Sequence, residues 1–310
     1  MQYTQTRGLR LSRFSLGTVQ LGTPYGINNH TGKPSREQAF AILDRALELG
    51  VNSLDTSSDY GDSEEIIGQW LCLRSPQNPP LVVTKISRFD HSSLPALRAS
   101  VRKKAEASMR RLKLDCLPLL MLHSFDDYAQ NPEGVRIVFE ELRRDGKIER
   151  WGVSAYSHHD YKLLAASGAD AVQIPVNLFD WGRIRDGGLA ALAGADMTVF
   201  ARSVFLQGLI FQRPEELDRR MRFAEPVLRR FHELCAEFRM EPAVLALSFA
   251  LSLPGVGCAV LGCERVEQVE QNAALIERAA PLTPAQMQTL MEAFQNMDRH
   301  VINPSTWYNA

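Results

Sequence analysis

The 310-residue chain has almost no net charge, no long apolar run and no paired cysteine motif. Its 35 basic and 36 acidic side chains leave a formal charge of −1, so no field draws in nucleic acid or an anionic membrane. No apolar stretch approaches the ~20 residues needed to span a bilayer. The opening Met1-Gln-Tyr-Thr-Gln-Thr-Arg7 has no apolar segment of a secretory signal. The five cysteines, Cys72, Cys116, Cys235, Cys258 and Cys263, form no Cys-x-x-Cys pair. Their odd number and apolar neighbours point to reduced thiols in a cytoplasmic protein. Cys116 and Cys258 are expected to pack in or near strands. For Cys263, beside Gly262, packing is weighed above an exposed reactive thiol. Histidines and carboxylates do not gather as metal ligands would. The pair His158-His159 follows one candidate strand, but no matching ligands follow its neighbours. It reads as a solvated helix start, and no metal is expected.

What the chain does have is alternation. Short apolar runs recur at Phe14–Gly17, Val51–Asp55, Leu81–Lys85, Cys116–His123, Arg150–Ser154, Ala171–Pro175, Met197–Ala201 and Gly257–Leu261. They are apolar on consecutive positions, as strands buried on both faces are. Helical patterns lie between them, at Arg36–Leu49, Leu94–Leu112, Pro132–Arg144, His159–Ser167 and Arg265–Arg278, with Pro214–Met240 and Pro242–Leu251 before the eighth strand. Alternating strands and helices imply a parallel α/β sheet. Eight units favour a closed (β/α)8 TIM barrel over an open sheet. An open dinucleotide-binding sheet would also carry Gly-x-Gly-x-x-Gly at its first turn, where this chain has Gly17-Thr-Val-Gln-Leu-Gly22. Tyr3–Gln5 and Leu9–Leu11 around Arg7-Gly8 read as an N-terminal hairpin covering the barrel floor. Pro284–Asn296 reads as an extra C-terminal helix. With no repeat beyond the βα unit, no low-complexity segment and no linker, residues 1–310 are expected to form one domain, within the size range of such barrels.

Four polar residues stand where these strands end: Asp55, Tyr60 in the loop after it, Lys85 and His123. In a (β/α)8 barrel the carboxyl ends of the strands carry the active site. Each residue alone has an ordinary explanation. The Asp would cap a helix, the Lys would be a solvated charge, the Tyr would pack, and the His would be a satisfied polar group. Their joint placement at consecutive strand ends favours chemistry.

The residues around them sharpen the reading. They include Leu16-Gly-Thr18, Leu54-Asp-Thr-Ser-Ser-Asp-Tyr-Gly-Asp-Ser-Glu64, Val83-Thr-Lys85, Met121-Leu-His123, Gly152-Val-Ser154, Val172-Gln-Ile-Pro-Val-Asn177, Ser203-Val-Phe-Leu-Gln-Gly208 and the segment from Gly262 to Asn272. In this order and spacing the chain resembles bacterial-type members of the aldo-keto reductase superfamily over nearly its whole length. The resemblance implies an NAD(P)H-dependent enzyme that reduces an aldehyde or ketone, sugars included. Tyr60 would be the general acid. Lys85 beside it would lower the phenol pKa from its ordinary ~10. Asp55 would hold the ammonium in place. His123 would donate a hydrogen bond to the substrate oxygen, and with Tyr60 would form an oxyanion site.

For the cofactor, the resemblance implies Gly17 and Thr18 at the end of the first strand and Ser154 with Gln173 on the nicotinamide carboxamide. Ser203, Phe205, Gln207 and Gly208 would cover the pyrophosphate. Gly262, Glu264, Arg265, Gln268 and Asn272 would lie around the adenosine half, where a helix start favours phosphate. For Gln173 and Asn177 the alternative is hydrogen bonding at the ends of the strand ladder. Three positions depart from the family pattern. Ala155 stands where Asn is common, Arg202 stands where a tyrosine often stacks on the nicotinamide, and Glu264 precedes Arg265 where cations usually meet a 2′-phosphate. Arg265 suits NADPH and Glu264 suits the free ribose of NADH; the family expectation tips the balance towards NADPH. Val19, Tyr25, Phe125, Trp181, Trp307 and Tyr308 are candidates to line a small-molecule pocket. Trp307 is weighed equally as packing of the tail. The loop Gly22–Asn28 is a further candidate element over the pocket. The competing readings are a non-catalytic, cofactor-sensing or partner-binding subunit of the same fold, and an isomerase or dehydratase using the same cofactor.

Overall fold

The structure is a computed structural model and describes residues 1–26 and 32–307. Tyr308, a pocket candidate, and the end of the Gly22–Asn28 loop lie outside the described residues. The chain opens with an antiparallel hairpin, β1 (Tyr3–Thr6) and β2 (Leu9–Ser12), with Tyr3 opposite Ser12. Arg7 and Gly8 turn it with φ of 43° and 76°, the left-handed pair that matches strand twist in a tight hairpin. Eight parallel strands follow: β3 (Phe14–Gly17), β4 (Ser53–Asp55), β5 (Leu81–Ile86), β6 (Leu117–Leu122), β7 (Ile148–Ser154), β8 (Ala171–Pro175), β9 (Thr198–Arg202) and β10 (Val256–Gly262). They pair in chain order, and β10 closes the barrel by pairing with both β9 and β3.

The period of two along each strand decides where the site can be. Outward residues such as Leu54, Val82, Leu120, Val153, Val172 and Val199 pack under the helices. The alternate positions point inward. Deep in the barrel they are apolar: Val83, Leu119, Met121, Ala171, Phe200 and Cys258, joined from the hairpin by Leu11. Two residues further along β5, β8 and β9, the inward positions become Lys85, Gln173 and Arg202; on β4 the terminal one is Asp55. A dry apolar floor thus carries a polar tier at the carboxyl end of the barrel.

The helices are started by their own sequence. Ser35 and Gln38 form a reciprocal cap on Arg36–Glu48, and Ser93 caps Leu94–Leu112. Thr283 and Gln286 do the same for Pro284–Phe294, the helix that follows barrel closure. Two expected helices differ. Pro214–Met240 is a pair of 3₁₀ turns, Pro214–Glu216 and Arg219–Ala224, and then a helix over Glu225–Phe238. Leu217 is extended between the turns, Asp218 caps the second by accepting from Arg220 N, and Pro226 fits only the first turn of the true helix. The expected His159–Ser167 helix is Tyr161–Ala165, because the Asp160 carboxylate caps it there. Ser63–Arg74 lies over β5, while Gly188–Gly194, rich in Gly and Ala, was not foreseen. Among the described residues no helix is long and apolar enough to cross a membrane.

Candidate active site

Lys85 is the best-buried charge among the described residues, at 0% exposure. Its ammonium donates to Asp55 Oδ1 at 2.7 Å and to the Thr56 carbonyl at 3.0 Å. Gln173 Nε2 donates to the same Asp55 oxygen at 2.6 Å. Removing an ammonium from water is costly unless it is paired and hydrogen-bonded. Burial works against the Lys85 charge, but Asp55 and the Tyr60 phenol outweigh it and hold the pKa above the ordinary lysine value. The ammonium sits 5.2 Å from the Tyr60 ring centre. Tyr60 meets His123 edge to face with ring centres 5.6 Å apart. The structure therefore brings Asp55, Tyr60, Lys85 and His123 together.

Burial raises the Tyr60 pKa above its ordinary value; Lys85 pulls it down, as expected, but does not offset the burial. The sequence showed a cation beside the phenol but not the depth of the phenol in the protein. Burial likewise lowers the His123 pKa, with Lys85 adding to the effect against Asp59.

Tyr60 is held by its loop. Gly22 touches this loop so closely that a Cβ there would overlap the Tyr60 carbonyl oxygen. Gly61 turns the chain at φ +54° against the Gly22 carbonyl. The helix after the loop is pinned at its first turn. Ser63 Oγ donates to the Thr18 carbonyl at 3.0 Å, and buried Glu64 accepts from Thr84 Oγ1 at 2.5 Å and from Arg111 at 2.6 Å. Thr84 is the outward neighbour of Lys85 on β5. The Ser63-Glu64 pair thus ties the tyrosine loop to the strand bearing the lysine.

A cavity of about 730 Å³ opens over this cluster and runs towards the helix Val266–Arg278. It is lined by Asp55, Tyr60 and His123 at one end, Ser154, Gln173 and Arg202 in the middle, and Glu264, Gln268 and Asn272 at the other. Gly17, Thr18, Ser203, Phe205, Gln207, Gly208 and Gly262 line it as well. Gly17 and Gly262 sit side by side on paired strands. Ser203, Leu206 and Gln207 take φ of 60°, 46° and 53°, so this loop is held in a backbone form that side chains seldom adopt.

Arg265 is exposed at the start of its helix and does not line the cavity. Gln268 accepts from Glu264 N at 2.8 Å, and Asn272 Nδ2 reaches Cys263 Sγ at 3.3 Å. Cys263 is 1% exposed with its thiol pushed up to about 12 by burial, so packing prevails there. Asn177 accepts from Phe179 N at 3.1 Å, a turn contact beyond β8.

Val19 and Tyr25 line the cavity, but three other pocket candidates do not. Trp181 is 4% exposed, donates to the Leu178 carbonyl and packs on Phe249. Trp307 is buried against Phe223 and donates to the His300 carbonyl, so it packs the tail. Phe125 stacks on His159 with ring centres 4.3 Å apart. That contact also corrects the reading of His158-His159 as a solvated helix start, since the His159 side chain is 10% exposed.

Three cavity-facing or adjoining residues were missed: Tyr156, Gln20 and Asp59. Tyr156 lines the cavity with the guanidinium of Arg202, a residue expected at the cofactor site, 4.4 Å from its ring centre, and Arg202 also donates to the Ala155 carbonyl at 3.2 Å. Gln20 lines the cavity with a buried amide oxygen that has no hydrogen-bond partner among the described residues. Asp59 accepts from Ser87 Oγ at 2.9 Å and contacts His123 Nδ1 at 3.2 Å. The aspartate two places into Ser57-Ser-Asp59 was visible, but not the side to which it turned.

Comparison with known proteins gives a consistent family. A model described as the aldo/keto reductase family matches residues 13–294. The uncharacterized oxidoreductase YqkF of Bacillus subtilis is 28% identical over 86% of this chain and 88% of its own. The uncharacterized oxidoreductase Rv2298 of Mycobacterium tuberculosis is 31% identical over 88% of this chain and 87% of its own. In fold, the aldo-keto reductase AKR11C1 from Bacillus halodurans, in its holo form, superposes with a TM-score of 0.75 at 22% identity, covering 98% of this chain and all of that one.

Proposed function

Because the chain belongs to the aldo/keto reductase family, we propose that it is a nicotinamide-dependent oxidoreductase reducing an aldehyde or ketone to an alcohol, with Tyr60 as general acid and no metal. The observation that carries this reading is the Tyr60–His123 ring pair standing over the buried Asp55–Lys85 ion pair at the floor of a long cavity. A reduced nicotinamide, when bound, supplies hydride to the carbonyl carbon. The protein must then deliver a proton to the oxygen. The raised Tyr60 pKa keeps the phenol protonated at neutral pH, ready to give that proton. Lys85 is cationic, and it stabilises the phenolate left behind. Asp55 and Gln173 keep the ammonium aimed.

The residues present fit an extended dinucleotide. The cavity falls within the size range of small-molecule and cofactor sites. The unpartnered Gln20 amide oxygen wants a hydroxyl or amino donor. Gly262 has no Cβ, which lets the Gln20 amide pack against its backbone at the cavity wall. Ser154 and Gln173 would meet a carboxamide, the Ser203–Gly208 loop the pyrophosphate, and Glu264, Gln268 and Asn272 the adenosine half. Arg202, withdrawn onto Tyr156, would border the nicotinamide. NADPH is the family expectation and would draw on Arg265. NADH is the second reading, favoured by Glu264 lining the cavity while Arg265 does not. The five unpaired thiols support a reducing, cytoplasmic setting.

The test is Tyr60→Phe. Reduction of simple aldehydes should fall by about 10²–10⁴, while fluorescence titration shows cofactor binding retained. Unchanged turnover would sink the general-acid assignment. Tight cofactor binding by the wild type without turnover on any carbonyl would instead favour a cofactor-sensing subunit.

A further inference from the structure

We infer that Asp59 is a positioning residue that holds neutral His123 in the tautomer with its proton on Nδ1, so that the ring shows the cavity an acceptor at Nε2 and not a donor. The inference rests on the reductase reading only for its kinetic consequence; the tautomer itself follows from contacts.

An ionised carboxylate can only accept hydrogen bonds. Asp59 Oδ2 lies 3.2 Å from His123 Nδ1, so that nitrogen must carry the proton. Ser57 Oγ lies 3.1 Å from the same nitrogen, but its own hydrogen is directed to the Lys85 carbonyl at 3.2 Å, leaving it an acceptor as well. Asp59 is itself fixed, with Ser87 Oγ donating to Oδ2 and Arg88 3.4 Å from Oδ1. These partners hold its carboxyl below the usual range against burial, so it stays ionised. His123 Nε2 has no partner among the described residues. In a neutral imidazole, one protonated nitrogen leaves the other with a lone pair.

The consequence is a donor that appears only with acid. A carbonyl oxygen in the cavity meets Tyr60 alone while His123 is neutral, and gains a second donor when the ring becomes an imidazolium. The charged groups facing His123 are Lys85 and Asp55 from inside the barrel, Asp59 from the tyrosine loop, and Arg88 behind Asp59. The Tyr60 phenol completes the surround. Burial and Lys85 hold the His123 pKa below 6.5, so the second donor is gained as pH falls below that value.

Two measurements on the full chain decide this. The first is long-range ¹H–¹⁵N correlation of the histidine rings, assigned with a His123→Gln variant. The expected result above the His123 pKa is a protonated Nδ1 and an unprotonated Nε2. A protonated Nε2 in the wild type overturns the proposal whether or not the protein turns over a carbonyl. The second is the pH profile of kcat/KM for aldehyde reduction in the wild type, in Asp59→Asn and in Ser87→Ala, which frees the carboxylate more gently. The wild-type rate should climb on acidification by up to about 10²-fold, the usual worth of one oxyanion donor. In Asp59→Asn the amide can donate to Nδ1, which moves the proton to Nε2, so the climb should flatten with the neutral rate preserved or raised. Ser87→Ala should flatten it partly. A uniform loss at every pH, or profiles parallel to the wild type, would mean a merely structural Asp59. A wild type with no turnover fails the reductase reading but leaves the ring spectrum to decide the tautomer.

Discussion

Lys85 shows how much a single residue depends on its partners. Its ammonium has no exposed surface, and Asp55 is its ion-pair partner among the described residues. Replacing Asp55 by Asn should therefore cost about 3–5 kcal/mol of folding free energy by leaving that charge unpaired, read as a lower urea midpoint. The double variant Asp55→Leu with Lys85→Met should recover most of the loss and still lack activity, which separates the pair's role in chemistry from its role in stability. At this scale the sequence showed the residues that end strands and missed those that reach in from loops. Asp55 and Lys85 were legible because a strand of period two fixes their side, and an inward charge at a strand end stands out. Asp59, Gln20 and Tyr156 carry no periodic signal. Their partners come from other elements, so only the assembled fold reveals them. The rise in the Tyr60 pKa was hidden for the same reason, since the depth of a side chain is a property of everything packed round it.

Among elements, the tyrosine loop depends on its neighbours more than on itself. Gly22 and Gly61 pack backbone on backbone, and Glu64 bonds to Thr84 and Arg111. Gly22→Ala should force the loop away from β3, losing about 1–3 kcal/mol as other overpacked sites do and lowering kcat more than it raises KM. Equal turnover in that variant would show that the loop finds its place without the contact. All eight barrel strands and the hairpin were legible, since runs of consecutive apolar residues between capped helices admit few other arrangements. The stretch from Pro214 to Glu225 was not. Its helical periodicity continues through residues whose backbone is diverted by Asp218 capping a 3₁₀ turn and by Pro226 starting the next helix. Trp181 and Phe125 misled by type, because large aromatics suit a pocket wall and a core equally well.

Across the whole molecule, titration sets an acid limit. Burial lowers the pKa of both His123 and His159 from 6.5. A group whose folded pKa is depressed contributes stability above its unfolded value and loses it as pH falls through the folded one. The unfolding temperature should thus hold steady just above pH 6.5 and decline below it. Asp44, Asp59 and Asp145, held below their ordinary range by their partners, extend the decline to lower pH. His123→Gln should soften the first part of that fall; an identical curve would remove His123 from the account. The barrel's closure bears on how such a chain is made. β3 is among the first strands to leave the ribosome and β10 the last, yet each is the other's neighbour. Until β10 is synthesised, β3 and β9 wait with bare edges, open to any stray strand. The rim that Gly17 and Gly262 share does not exist before then, so a chain cut short ahead of β10 forfeits the ligand's help in folding and leaves two edges for chaperones to guard.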